Sequence, residues 1–142
     1  MIEMTLAVAE KAARAAQAKA RELGTPMTVS VVDEAGRVVY AARGDGAGFF
    51  STNTSRAKAT AAANFRRSTK ELGVEMAKGS PFWSTVASAV PGELLPSIGA
   101  VPIMAGIRVI GAIGCGGGTG EQDHECALAG GGEELASRAR VC

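Results

Sequence analysis

The sequence predicts an α+β domain in which helices flank a central antiparallel β-sheet. Two separate pairs of β-like segments are each joined by a short turn, and such hairpins make antiparallel neighbours. Helical patterns precede, separate and follow these pairs, which gives the order α-ββ-αα-ββ-α. The 142 residues, of which 46% are hydrophobic and 20% charged, suit one soluble domain that spans 1–142.

The first three elements follow from periodicity. A helix is predicted over 5–23, where small apolar residues recur every 3.6 residues and charged residues occupy the opposite side. A glycine and a proline then supply a stop signal. Strands are predicted at 27–33 and 37–43, because valines alternate on both sides of the turn sequence Asp-Glu-Ala-Gly at 33–36. Glycine at the end of that turn can adopt the positive φ that a hairpin needs.

The middle of the chain predicts two further helices and then loses its pattern. Residues 54–65 are rich in alanine and read as a helix. Ser68, with a glutamate three residues later, forms a capping box that begins a short helix through Ala77. Three prolines interrupt 78–96, so no element is predicted there, and Phe82-Trp83 is expected to pin this stretch to the core.

A second hairpin and a last helix follow. The segments SIGAVPI and GIRVIGAIG read as strands joined near 104–106. Pro102 is expected at a sheet edge or a bulge, because proline has no N–H to donate to a neighbouring strand. The last helix is predicted from its N-cap Thr119 through Arg138, with Gln122 completing a capping box.

These elements also predict how the chain packs and assembles. The sheet should have roughly four to six antiparallel strands. We expect the first and last helices on one face and residues 54–77 elsewhere. Residues 1–70 carry a net charge of +5 and residues 71–142 a net charge of −4, so the two halves can complement one another within the fold or across an interface. Because alanine-rich faces bury little area, a homo-oligomer is expected, formed through the first helix or through 57–63.

Composition excludes several classes of function. A net charge of +1 does not favour a nucleic-acid or membrane partner, and six aromatic residues are too few for a base-stacking platform. No segment approaches the ~20 unbroken apolar residues that span a bilayer. The charged N-terminus is unlike a signal peptide, so a cytoplasmic location is expected. The cysteines are odd in number and lack a CxxC pair, which argues against a disulfide framework and a zinc site: Cys115, Cys126 and Cys142.

The main candidate for a functional site is GAIGCGGGTGEQDHE at 111–125. A predicted strand ends there, glycines let the backbone approach a ligand, and a helix begins whose free N–H groups favour an anion. The sequence is neither a P-loop nor a dinucleotide-binding fingerprint. A flexible connection before a capped helix explains the same pattern. The functional interpretation is a pocket for a carboxylate or propionate.

Individual residues near this segment also have two interpretations. Cys115 precedes the helix, whose dipole can lower a thiol pKa, but buried packing explains it as well. His124 is the single histidine; it is a candidate ligand for haem iron or another metal, a proton shuttle, or a solvated polar residue. Arg43 and Lys58 are candidate cations for a carboxylate, although ion pairs with Asp45 explain them equally.

From these residues we predict one pocket. Its walls are residues 114–118 and the start of the last helix, and its cationic partners are Arg43 and Lys58. This geometry requires both hairpins to lie side by side in one sheet, so that Arg43 and Gly114 end near the same edge.

Several motifs together resemble the GlcG/HbpS haem-binding family, which also includes the C-terminal domain of PduO-type proteins. They are VSVVDEAGRVVYAARGDGA, S-x-A-K-A-T-A-A and VPIM-x-G-x-RVIGAIG-x-GGGTGEQD, and they cover nearly the whole chain. The resemblance implies a profilin-like fold, homo-oligomers, and binding of haem, haem-derived or corrinoid-like ligands. The resemblance places the recurrent polar positions of that family at Arg43, Asp45, Lys58, Thr60, Thr119, Gln122 and Asp123. The residues assigned to ligand binding are Arg43, Asp45, Lys58, Cys115, Gly117, Gly118, Thr119, Gln122 and Asp123.

Two functions from different classes follow from the sequence. The first is a cytosolic protein that binds haem, or a similar planar carboxylated tetrapyrrole, as its small-molecule ligand. The second is a cofactor-independent isomerase, cyclase, lyase or hydrolase that acts on a small carboxylated metabolite. In that enzyme Asp123, Glu121, His124 or Cys115 would move protons. A structural or regulatory interaction module is a third use of such a fold.

Overall fold

The structure, a computed structural model, describes residues 3–131 and contains a four-stranded antiparallel sheet with the order β2-β1-β4-β3. The predicted continuation of the last helix to Arg138 and the thiol of Cys142 lie outside the described residues. In chain order the elements are α1 (Leu6–Leu23), β1 (Thr28–Asp33), β2 (Val38–Arg43), α2 (Ser51–Phe65), α3 (Thr69–Ala77), α4 (Pro81–Ala89), β3 (Ala100–Ala105), β4 (Arg108–Gly116) and α5 (Gly120–Gly131).

Both predicted hairpins are present, and β1 and β4 join them into one sheet. In the first turn, Asp33 Oδ1 accepts hydrogen bonds from the N–H groups of Ala35 and Arg37, and Gly36 has a φ of 80°. Pro102 lies in the edge strand β3, next to a shift in the strand register. The α+β class predicted from the sequence is therefore confirmed.

The helices lie on both faces of the sheet. Along β1, Val29 and Val31 belong to the core under α1 and α5, whereas the side chains of Thr28 and Ser30 bond α2. This alternation is the expected consequence of the two-residue period of a strand. The first and last helices thus share one face, as predicted. Among the described residues, no helix has the length and apolar character to cross a membrane.

Glycines in β4 bring α2 unusually close to the sheet. Gly114 and Gly116 face α2, and a Cβ atom at Gly114 would collide with the backbone carbonyl of Ser55. A Cβ atom at Gly116 would lie 2.8 Å from Thr54 Oγ1. These two glycines therefore accommodate a helix of the same chain. The sequence interpretation, in which the whole glycine run admits a ligand, is wrong for this part of the run.

The alanine face of α2 is also used inside the chain. Five of its alanines are buried against the sheet and the neighbouring elements: Ala57, Ala59, Ala61, Ala62 and Ala63. Five alanines of α1 are buried in the same way against α5 and β1: Ala9, Ala12, Ala13, Ala16 and Ala20. Packing within one chain therefore already covers these alanines, and self-association through either helix stays a prediction.

Two helix boundaries differ from the prediction. The second helix begins at Ser51, three residues before the predicted start. The helix α4 lies in 78–96, where no element was predicted. Its start has a clear signal: Ser80 is the N-cap, its hydroxyl accepts a hydrogen bond from Trp83 N–H at 3.4 Å, and proline occupies the first turn. The surrounding prolines obscure this signal in the sequence.

Candidate functional site

The residues proposed from the sequence converge on one end of the sheet, which we call the loop end. It is defined by Thr28, Arg43 and Gly116, which lie side by side on β1, β2 and β4. Arg43 and Gly116 are therefore two strand spacings apart, roughly 10 Å. Arg43 shares a face with Thr28, whose hydroxyl lies 2.6 Å from Ser51 Oγ of α2. The hairpins do lie side by side, as the predicted geometry requires.

A buried ion pair between α2 and α5 organises this end. Lys58 Nζ lies 2.9 Å from Asp123 Oδ2, and the two side chains are only 8% and 4% exposed. The same ammonium group donates a hydrogen bond to the carbonyl oxygen of Cys115 at 3.2 Å. Lys58 thus ties the end of β4 to the first turn of α5. The sequence alternatives paired Asp45 with Lys58 or Arg43, and neither pair is present among the described residues.

Several N–H groups around the start of α5 have acceptors within the chain. Gly118 N–H donates to Asp123 Oδ1 at 3.0 Å, and Thr119 N–H donates to Gln122 Oε1 at 2.9 Å. Gln122 N–H in turn donates to Thr119 Oγ1 at 3.2 Å, so the predicted capping box is present. The anion at this helix start is therefore the carboxylate of Asp123 itself.

Burial changes the protonation chemistry of this end. It raises the pKa of the Asp123 carboxyl, while the bonds from Lys58 and from Gly118 N–H act in the opposite direction. Burial raises the pKa of the Cys115 thiol well above its ordinary value and that of Cys126 to about 11. Both thiols are free and lie in the core beside α1 and α5. Of the two interpretations of Cys115, the structure supports buried packing, because desolvation outweighs any lowering of the thiol pKa by the helix start.

The outward-facing residues of the loop end include two aromatic side chains that the sequence analysis missed. Phe49 and Phe50 are 68% and 69% exposed, and their ring centroids are 4.6 Å apart. They directly precede Ser51, which bonds Thr28, the neighbour of Arg43. Arg43 itself is exposed, as is Asp45 in the following loop. Two consecutive aromatic residues at the end of a glycine-rich loop were the available sequence signal.

His124 lies beside this network, on the first turn of α5. Its side chain is half-buried, and Nδ1 is buried with no hydrogen-bond partner among the described residues. Burial and the nearby Lys70 lower the pKa of its imidazole, so the ring is neutral at neutral pH. No group of three or more His, Cys, Asp or Glu side chains comes together within residues 3–131 in the manner of a metal site.

A cleft lies at the opposite end of the sheet, and we call it the turn cleft. Its volume is about 600 Å³, and its walls are the turn residues 34–37, the outer side of α2 at Thr60 and Asn64, and α4. Thr60, a recurrent polar position of the family that the sequence resembles, lines it, but none of the nine residues assigned to ligand binding does. The structure therefore separates the predicted site from this cavity along the length of the sheet.

The sheet order and the helices on both faces define a small α+β domain that is shared with other solved proteins. HbpS from Streptomyces reticuli, solved as a double mutant, has a TM-score of 0.82, with 92% of this chain and 86% of that chain covered and 34% of residues identical. The chain belongs to the HbpS-like family, described as haem-degrading protein HbpS-like, whose pattern matches residues 4–131. The resemblance inferred from the motifs is confirmed.

Two further relatives are similar to most of the chain, and one of them is a complex with haem. The complex of PduOC with haem has a TM-score of 0.83 and 26% identity, and covers 91% of this chain and 93% of that chain. A 15.0 kDa protein encoded in the dhaT-dhaS intergenic region of Citrobacter freundii is 35% identical over 121 residues, which are 85% of this chain and 84% of that protein. Haem binding is thus a property found among the structural relatives of this family.

Proposed function

We propose that this protein binds haem, or a closely similar planar tetrapyrrole with carboxylate substituents, at the loop end. The similarity to the PduOC–haem complex along 91% of the chain carries this proposal. Membership of the HbpS-like family supports it independently. The cytoplasmic location expected from the sequence belongs to the same proposal, and cell fractionation tests it.

The exposed side chains of the loop end fit such a ligand. A tetrapyrrole offers a flat apolar ring and carboxylate groups. The Phe49–Phe50 pair offers exposed apolar rings, and the Arg43 guanidinium can hold a carboxylate through two parallel hydrogen bonds. Gly117 and Thr119 are also exposed, so the backbone between β4 and α5 can approach the ligand edge.

Five of the residues assigned from the sequence would act by positioning. Lys58 and Asp123 are satisfied by one another, and the side chain of Gln122 bonds Thr119 N–H. Gly118 is held by Asp123, and the carbonyl of Cys115 accepts from Lys58. We therefore assign these five residues to holding the 116–119 backbone in place, and Arg43 with the aromatic pair to direct contact.

His124 is the residue of this end that could hold iron. A neutral imidazole is the form that ligates metals, and its pKa is lowered by burial. Haem would supply an iron centre there, and the role of the chain would be to bind and orient it. His124→Ala tests whether His124 is an axial ligand of haem. Loss of a low-spin haem spectrum would identify it as one, and an unchanged spectrum would show that it is a polar residue with no contact to the iron.

Hemin titration tests the proposal. We expect a saturable shift of the Soret band, and Arg43→Ala should weaken binding by about 1–3 kcal/mol, the cost of a lost charge-assisted hydrogen bond. Arg37→Ala is the matched control, because Arg37 is an exposed arginine of the same hairpin at the other end of the sheet. A titration like that of an unrelated protein would overturn haem binding. Equal losses of haem affinity in Arg43→Ala and Arg37→Ala would show that the site is not at the loop end.

The titration also bears on the enzyme alternative. Of its four proton carriers, Cys115 and Asp123 are buried, so Glu121 and His124 are the accessible ones. Turnover of a carboxylated metabolite that is lost in His124→Ala, without any Soret shift in the parent protein, would favour this alternative. A Soret band that shifts and then decays in the presence of a reductant and oxygen would indicate haem degradation.

A further inference from the structure

We propose that the turn cleft is a second ligand site, which takes a small uncharged aromatic molecule. The cleft lies at the end of the sheet opposite to the loop end and shares none of the nine residues assigned to ligand binding, although Thr60, a recurrent polar position of the family, lines it. The inference therefore does not depend on haem binding. It follows from the size of the cleft, from its aromatic lining and from its balanced charge.

The size and lining of the cleft are those of a small-molecule site. Its volume of about 600 Å³ falls within the range of roughly 300–1,000 Å³ that ligand pockets occupy. Phe65 and Phe82 lie edge to face with ring centroids 6.2 Å apart, and Leu94 and Val86 add aliphatic surface. Phe82 remains 56% exposed, so a ring inserted beside it would bury apolar surface that water now contacts.

The wall formed by α4 is only lightly packed. None of its nine residues is buried within the described part of the chain, although most of the helix is apolar. It lies between Gly79 and Gly92, which have φ angles of 73° and 76° and open space around them. Trp83 and Val86 pack on the buried cluster of Ala61, Leu72 and Leu94. Phe82 and Val90 stay 56% and 42% exposed, so a ligand in the cleft would cover apolar surface that the chain itself leaves open.

The charges at the rim favour an uncharged ligand. Glu34 and Arg37 face the cleft with opposite signs, and Glu93 lies 3.5 Å from Arg56, which neutralises it. A carboxylate would therefore meet Glu34 as well as Arg37. The exposed amide of Asn64 can both donate and accept a hydrogen bond, so it suits a hydroxyl or amide substituent on the ring.

The chain carries its own reporter for this site. Trp83 is the single tryptophan, and its ring centroid lies 4.9 Å from that of Phe65 and 5.1 Å from that of Phe82, both of which line the cleft. We would titrate the protein with 4-nitrobenzyl alcohol, an uncharged quencher of tryptophan fluorescence, and with 4-nitrobenzoate as its charged counterpart. We expect saturable quenching by the alcohol, with an affinity about tenfold higher than that of the benzoate.

Two substitutions on α4 locate the binding. Ala89→Phe fills the cleft and should weaken the alcohol by about tenfold, whereas Ser88→Phe adds the same ring one residue away, at an exposed position that does not line the cleft. Both positions are exposed, so both variants should fold, which circular dichroism checks. Linear, unsaturable quenching, equal affinity for the two probes, or equal behaviour of the two variants would each overturn the proposal.

Discussion

The buried pair of Lys58 and Asp123 makes the sharpest prediction about stability. Its atoms are 2.9 Å apart and both side chains are almost fully buried, so removing either partner leaves an unpaired charge out of water. Such a loss typically costs 3–5 kcal/mol. For a chain of this length, with about 3 °C of melting temperature per kcal/mol, the melting point should fall by about 10–15 °C. Asp123→Asn keeps the shape of the side chain, so it measures the effect of removing the carboxylate charge alone.

The double variant provides the control. When Lys58→Met and Asp123→Asn are combined, no charge remains unpaired, and the asparagine oxygen can still accept from Gly118 N–H. We therefore expect the double variant to be more stable than Asp123→Asn alone, with a coupling energy of about 2 kcal/mol or more. Urea unfolding followed by circular dichroism measures all four proteins. Additive losses, or single losses below about 1 kcal/mol, would refute this reasoning.

The pH dependence of the two single variants should differ. In Lys58→Met the pKa of Asp123, already raised by burial, rises further because its cation is gone. A carboxyl whose folded pKa exceeds its unfolded pKa contributes stability below the unfolded pKa, and this is lost as pH rises through the folded pKa. The deficit of Lys58→Met relative to the parent should therefore be smaller near about pH 4.5 than at pH 8. Asp123→Asn has no such carboxyl; it leaves the buried Lys58 ammonium unpaired, and that cost is relieved only as pH rises and the ammonium loses its proton. Its deficit should therefore be no smaller near about pH 4.5 than at pH 8.

Three further predictions concern packing, assembly and thiol reactivity. Gly114→Ala should destabilise the fold by about 1–3 kcal/mol because its Cβ would enter α2, whereas Gly73→Ala, in open space on α3, should stabilise by about 0.5–1 kcal/mol; urea unfolding compares the two. Light scattering should give an oligomer whose mass falls in Val38→Lys, an exposed position on the edge strand β2, and a monomeric parent would contradict this. Cys115 and Cys126 should resist alkylation at pH 8 because burial raises the pKa of both thiols. Rapid labelling of a variant that lacks Cys142 would contradict this prediction.

Local chemistry in the sequence is sufficient for most of the fold. The Asp33 turn, the Thr119 capping box and the alternating valines each rely on neighbours within a few residues, so their physical basis is readable from the chain. Strand pairing by tight turns then allows only an antiparallel hairpin. The family could also be recognised from the order of the motifs, because several short motifs with fixed spacing are much more specific than any one of them.

Only the tertiary structure could decide what the predicted site residues contact. Lys58 and Asp123 are 65 positions apart, and either could have met a ligand, water or Asp45; packing α2 and α5 against opposite sides of β4 brings them together. In the same way, the sequence suggests that Gly114 leaves space for a ligand, but in the structure α2 occupies that space. Contacts between residues distant in sequence depend on how whole elements pack. No local propensity encodes those contacts, which is why the turn cleft was also missed.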